Sequence, residues 1–180
     1  MTKQSFKQPA KSVYAFIDSQ NLNLGTNKDL FDKSGKKIYV GWKLDFQKFQ
    51  KYLQDKFRVS KALLFIGYIA ENKPLYDQLK AFGYELVFKP TTKDGSGKPK
   101  GNVDAELVLH ATAVEFANYD QAVIVAGDGD YRCLHEFLVK NKKLRAIVIP
   151  NHKSESSLLK PFQIYKIFLE YERTKLGYKK

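Results

Sequence analysis

Apolar residues gather in five short runs, Val13–Ile17, Ala62–Ile69, Tyr84–Phe88, Ala122–Ala126 and Leu144–Ile149, each rich in Val, Ile, Leu or aromatics. Runs of this length without polar alternation read as strands buried on both faces of a parallel sheet. Between them the spacing changes to a helical one. Leu44, Phe46, Phe49 and Leu53 mark one helix, Leu75, Leu79 and Phe82 a second, Val103, Leu107, Ala111 and Val114 a third, and Leu134, Phe137 and Leu138 a fourth. Strands alternating with helices predict an α/β fold, an open and mainly parallel sheet covered on both faces.

Two segments interrupt the alternation. Gly25 to Lys43 is long and polar with a turn expected at Ser34-Gly35, and Lys89 to Asn102 is a basic loop rich in Gly and Pro. Long loops in compact domains are often functional. The expected organisation is a basic, flexible segment over 1–12, one domain over 13–170, and a lysine-rich tail over 171–180. From Ile164 to Lys180 a short strand and then a lysine-rich helix or tail are expected, and no internal repeat or second domain is apparent.

The 180 residues carry 31 Lys and Arg against 19 Asp and Glu, a net charge of +12, which favours an anionic partner such as nucleic acid or an acidic membrane surface. With 43% hydrophobic residues the chain is not of disordered composition. The single Cys133 forms no internal disulfide, and no Cys/His cluster has zinc-ligand spacing, so a reducing, cytoplasmic setting without structural zinc is expected. The apolar run after the polar N-terminus is too short for a signal-peptide core or a membrane span.

Carboxylates sit where such a sheet binds ligands, beyond the carboxyl ends of its strands. "FIDSQN" puts Asp18 at the end of the first strand with Asn21 close behind. "AVIVAGDGDY" puts Asp128 and Asp130 at the end of the fourth, and "KGNVDAEL" puts Asp104 and Glu106 in the first turn of the helix between the third and fourth. If strands one and four are neighbours, these groups converge on one crevice. Carboxylates so gathered repel one another, and a hard divalent cation, Mg2+ or Mn2+, is the simplest compensation. An acidic centre within a basic surface predicts a nuclease.

"FIDSQN", "KGNVDAEL" and "VAGDGDYRCL", in this order from about Val13 to about Phe162, resemble the NYN domains, a LabA/DUF88-type branch of the PIN-like nuclease superfamily. The resemblance implies a three-layer α/β/α fold with a five-stranded sheet of order 3-2-1-4-5, an acidic metal site and ribonuclease chemistry in which water attacks in line and the 3′ oxygen departs. Asp18, Asp104, Asp128 and Asp130 match its acids, and Asn21 the polar residue completing the first motif. "IPNHKSESSLLKPF" is similar to its C-terminal segment. NYN domains commonly read Ser-Gly-Asp-Ser-Asp-Phe at the paired acids, whereas this chain has Ala126, Gly129 and Tyr131 at the two serines and the Phe. His110 stands where relatives often carry a further acid, and Lys160-Pro161 where they often carry Ala-Asp.

The predicted function is an endoribonuclease acting on single-stranded or flexible RNA, with DNA also compatible. Asp18, Asp104 and Asp128 would hold Mg2+ or Mn2+, with Asp130 as ligand or orienter of water, and Asn21 and Glu106 organising the site. Lys98, Lys100, Lys140, Lys142, Lys143 and Arg145 would position the phosphodiester backbone, and Tyr39 and Trp42 would stack on unpaired bases, with core packing the alternative for Trp42. Simpler readings stand beside these: Asp130 as a helix cap, Asp18 in an Asx-turn, Asp104 against a helix dipole, and Lys140–Arg145 as a solvated turn. No histidine has triad-like spacing. The rival functions are an RNA-binding module with little or no hydrolysis and a small-molecule phosphatase, the latter lacking an Asp-x-Asp pair because Gln20 follows in "DSQN". No oligomeric state is readable.

Overall fold

The computed structural model describes residues 11–89, 92–93, 99–100 and 103–178. Its centre is a six-stranded parallel sheet formed by β1 (Val13–Asp18), β4 (Val59–Gly67), β5 (Tyr84–Lys89), β8 (Gln121–Val125), β9 (Leu144–Ile149) and β10 (Lys166–Phe168). The strands lie in the order β5-β4-β1-β8-β9-β10. This is the expected 3-2-1-4-5 arrangement with a sixth strand added at the β9 edge, where β10 pairs with Ile147–Ile149.

Helices cover both faces. They are α1 (Ser19–Asn27), α2 (Phe46–Phe57), α3 (Lys73–Ala81), α4 (Asp104–Leu109, continuing as a π turn over His110–Val114), α5 (Arg132–Lys140) and α6 (Arg173–Leu176). Alternate residues of β1 divide the core: Val13, Ala15 and Ile17 pack with Leu22, Phe49, Leu53 and Leu176, while Phe16 packs with Leu107, Leu134, Leu138 and Leu159. That period of two, applied to a strand buried on both faces, explains why β1 reads as an unbroken apolar run.

α2 illustrates how local sequence and packing agree. Asp45 caps it by accepting from the Gln47 and Lys48 N–H groups, at 3.0 and 3.1 Å, an arrangement worth about 1 kcal/mol. Phe49, Leu53 and Phe57 then recur at a spacing of four and are buried, each contributing about 1.5–3 kcal/mol. Arg58 in the left-handed region, φ 61°, ends the helix.

Three expectations change. α1 was hidden from hydrophobic spacing because only Leu22 and Thr26 of its nine residues are buried. The polar insertion is a short hairpin of β2 (Leu30–Phe31) and β3 (Lys37–Tyr39), turned at the predicted Ser34-Gly35, where Gly35 has φ 81° and Asp32 accepts from Ser34 and Lys36. The lysine-rich C-terminal stretch takes the expected strand-then-helix form in β10 and α6, and it is anchored because Leu176 is buried and Gly177 bridges to Leu44. Within the basic loop the described residues form an antiparallel pair, β6 (Thr92–Lys93) with β7 (Pro99–Lys100).

Candidate functional site

The strand order reverses beside β1. The chain moves outward through β4 and β5, then returns to place β8 on the other side of β1, which opens a crevice at the carboxyl edge between β1 and β8. A cavity of about 560 Å³ lies there. Its lining includes Asp18, Asn21, Lys28, Asp104, Asp128 and Asn151. Three of the four predicted aspartates therefore line one cavity.

Local chemistry holds each in place. Asp18 ends β1 and caps α1, accepting the Asn21 N–H at 2.9 Å. Asn21 in turn accepts the Gly127 N–H at 2.9 Å, which ties the β1–α1 turn to the loop after β8. Asp128 caps the 3-10 turn Gly129–Tyr131 through the Asp130 N–H at 3.1 Å. The capping role expected of Asp130 thus belongs to Asp128.

Tyr131 is the main residue whose role the sequence did not reveal. Its hydroxyl lies 2.7 Å from Asp104 Oδ1 and 3.0 Å from Asp18 Oδ2. One O–H proton can be given to only one carboxylate at a time, so the bridge joins the two acids without satisfying both charges. Burial, the largest influence, raises the Asp18 pKa above the usual carboxylate range, opposed by the hydrogen bonds from Asn21 and Tyr131. Burial and the adjacent carboxylates push the Tyr131 hydroxyl well above an ordinary phenol.

The departure at Gly129 has a steric basis. A Cβ there would collide with Ser156 Oγ and the Leu158 side chain, so the space a serine would need is already filled by the segment after β9. Asn151 was not singled out from the sequence, although it lies within the quoted C-terminal segment. It is buried, donates to the Gly25 carbonyl, accepts from Ser154 at 2.8 Å and lines the cavity.

Other predicted residues fall elsewhere. Asp130 is exposed and is not among the lining residues, and Glu106 is half-buried and likewise outside the lining. Lys140, Lys142, Lys143 and Arg145 precede or open β9 and so lie at the amino edge of the parallel strands, opposite the acids. Lys143 is also engaged: its ammonium donates to the Phe116 carbonyl at 2.8 Å and to that of Tyr119, and sits over both rings. The expectation that this cluster rims the acids fails because a turn before a parallel strand is a full strand length from the carboxyl edge. Lys98 and the Lys100 side chain lie outside the described residues. Tyr39 and Trp42 are buried in the core, and the Tyr39 hydroxyl donates to the Thr26 carbonyl at 3.2 Å. His110 donates to the Glu106 carbonyl at 2.9 Å and packs edge-on to Phe65, a structural role.

Among the described residues no group of three or more His, Cys, Asp and Glu is set to hold a metal ion. The chemistry of the donors nevertheless suits a hard cation: Asp18 and Asp104 are bridged by one hydroxyl, Asp128 lines the same cavity, and all donors are oxygen. Mg2+ characteristically takes one or two carboxylates and completes its shell with waters and substrate phosphate.

Carboxylates gathered at the switch point of a parallel sheet define a candidate ligand site of the α/β class. The chain belongs to the NYN domain family, whose model matches residues 12–168. The family is generally nuclease-like, and such nucleases usually use divalent metals. In fold the chain is similar to a crystal structure of a protein of unknown function from Vibrio parahaemolyticus RIMD 2210633, with a TM-score of 0.63 and 18% identity over 91% of this chain and 96% of that one. No curated protein matches it. Among the described residues no helix is long and apolar enough to cross a membrane.

Proposed function

We propose that the protein is a divalent-metal-dependent phosphodiesterase that cleaves single-stranded or flexible RNA at the cavity between β1 and β8. The observation that carries this reading is the convergence of Asp18, Asp104 and Asp128 on one cavity at the switch point, in a chain of net charge +12. Asp18 and Asp104, with Asp128, would hold Mg2+ or Mn2+, which supplies Lewis-acid stabilisation and a nucleophile from water at neutral pH. Asn21 ties the β1 and β8 loops together, and Lys28, which lines the same cavity, offers a cation to the backbone phosphate. Asp130 and the Lys140–Arg145 cluster have no part in this proposal.

A second reading, RNA capture without turnover, is favoured by one feature. The Tyr131 hydroxyl already occupies the space between Asp18 and Asp104, where it competes with a cation. Cleavage of a labelled single-stranded RNA in Mn2+, Mg2+ or EDTA, beside a chromogenic phosphomonoester, separates the readings. The proposal predicts cutting of the RNA in metal alone, lost by about a hundredfold in Asp104→Asn, and no turnover of the phosphomonoester. RNA binding without cutting in any metal supports capture, and turnover of the phosphomonoester supports a phosphatase.

A further inference from the structure

A second and larger cavity opens at the same sheet edge, on the other side of α1. It holds about 930 Å³ and lies over the carboxyl end of β4, between α1, the segment after β3 and α3. Gln20 and Val103 line both cavities, so the two are contiguous.

The linings differ in chemistry. Where the acidic cavity presents three aspartates, the described lining of the larger one contains no carboxylate and a single cation, Lys43. Its polar side chains are chiefly carboxamides, Gln20, Asn23, Asn27, Asn72 and Gln78, set among apolar residues of β4, α2 and α3. Carboxamides offer a donor and an acceptor side by side, the pattern that matches the edge of a nucleobase. An aromatic platform completes the set. Tyr178 is half exposed and lines this cavity, held there because its N–H donates to the Lys43 carbonyl at 3.1 Å next to the Leu44–Gly177 bridge. The Lys43 ammonium lies 4.9 Å from the ring centroid.

We propose that this cavity receives one unpaired base of the RNA whose phosphodiester lies at the acidic cavity. The inference rests on the proposed function for the nature of the ligand. A lining without carboxylates and nearly without cations suits the uncharged, flat, hydrogen-bonding part of a nucleotide rather than its phosphate. Single-stranded RNA offers such splayed bases to aromatic faces and polar side chains. The contiguity through Gln20 and Val103 places the base one step along the strand from the reacting phosphate.

The test measures binding in EDTA, where cutting does not interfere. A fluorescent single-stranded RNA is compared with a series in which one nucleotide at a time lacks its base, using the wild-type chain, Leu75→Trp and Gln78→Ala. Leu75 and Gln78 line the cavity, and both are exposed, so their replacement leaves the core intact. The expected result is that loss of one particular base weakens wild-type binding by about tenfold, and that Leu75→Trp, whose larger side chain intrudes on the cavity, and Gln78→Ala, which removes a lining carboxamide, discriminate less between intact and abasic strands. Equal wild-type affinity for all strands, or undiminished discrimination in Leu75→Trp, overturns the inference. Cleavage in Mn2+ is read separately: base discrimination without cutting keeps the pocket and removes the nuclease, and cutting without discrimination does the reverse.

Discussion

Tyr131 sets the character of the acidic cavity, because its hydroxyl stands between two carboxylates that would otherwise repel each other. Replacing it with Phe, the residue NYN domains commonly carry there, removes a competing donor and leaves that repulsion to be relieved by a cation. Tyr131→Phe is expected to bind Mn2+ several-fold more tightly in a calorimetric titration, and unchanged or weaker binding contradicts the bridging role. His135 gives a second test at this scale. It is fully buried against Phe162, neither ring nitrogen has a hydrogen-bond partner, and burial lowers its pKa to about 4. The unfolded chain therefore takes up the proton first as pH falls below about 6.5, and the fold loses stability down to about pH 4, by on the order of 3 kcal/mol. The raised pKa of Asp18 acts in the opposite sense, since its protonation on acidification relieves a buried charge. A His135→Leu variant, followed by chemical denaturation between pH 7 and pH 4, should lose most of the pH-dependent decline. A decline equal to that of the wild type assigns it to other groups.

The elements that position the site differ in how plainly the sequence announces them. β1, β8 and β9 were legible because strands buried on both faces need unbroken apolar runs, and α2 because its apolar residues recur at a spacing of four. α1 was not, since it turns only Leu22 and Thr26 inward and leaves Gln20, Asn23 and Asn27 for the two cavities. Asp18, Asp104 and Asp128 could be found from their places at strand ends and a helix start. The Tyr131 bridge could not, because it joins residues far apart in sequence. The edge on which Lys140–Arg145 lies was readable in principle, as any turn leading into a parallel strand is remote from the carboxyl ends. The hairpin of β2 and β3 returns to α1 through Gly41, where the Trp42 N–H donates to the Thr26 carbonyl at 2.8 Å and a Cβ would meet the Asn27 carbonyl. Because that obstacle is backbone, Gly41→Ala is expected to cost about 2–3 kcal/mol in a urea titration. A change below about 0.5 kcal/mol would show that this approach is not tight.

The fold puts opposite chemistries on the two edges of one sheet. The carboxyl edge carries the aspartates and both cavities, and the amino edge carries Lys140, Lys142, Lys143 and Arg145. Under the proposed function, chemistry on the phosphodiester is confined to the first edge, and the overall charge of +12 draws the polyanion to the surface. The most direct measurement is the single-turnover rate of cleavage of a single-stranded RNA in Mn2+ at saturating protein, compared among the wild type, Asp128→Asn and Arg145→Ala. A loss of about a hundredfold in Asp128→Asn with an unchanged rate in Arg145→Ala is the predicted result. Equal rates for the wild type and Asp128→Asn, or a comparable loss in Arg145→Ala, would contradict the placement of the active centre at the β1–β8 cavity.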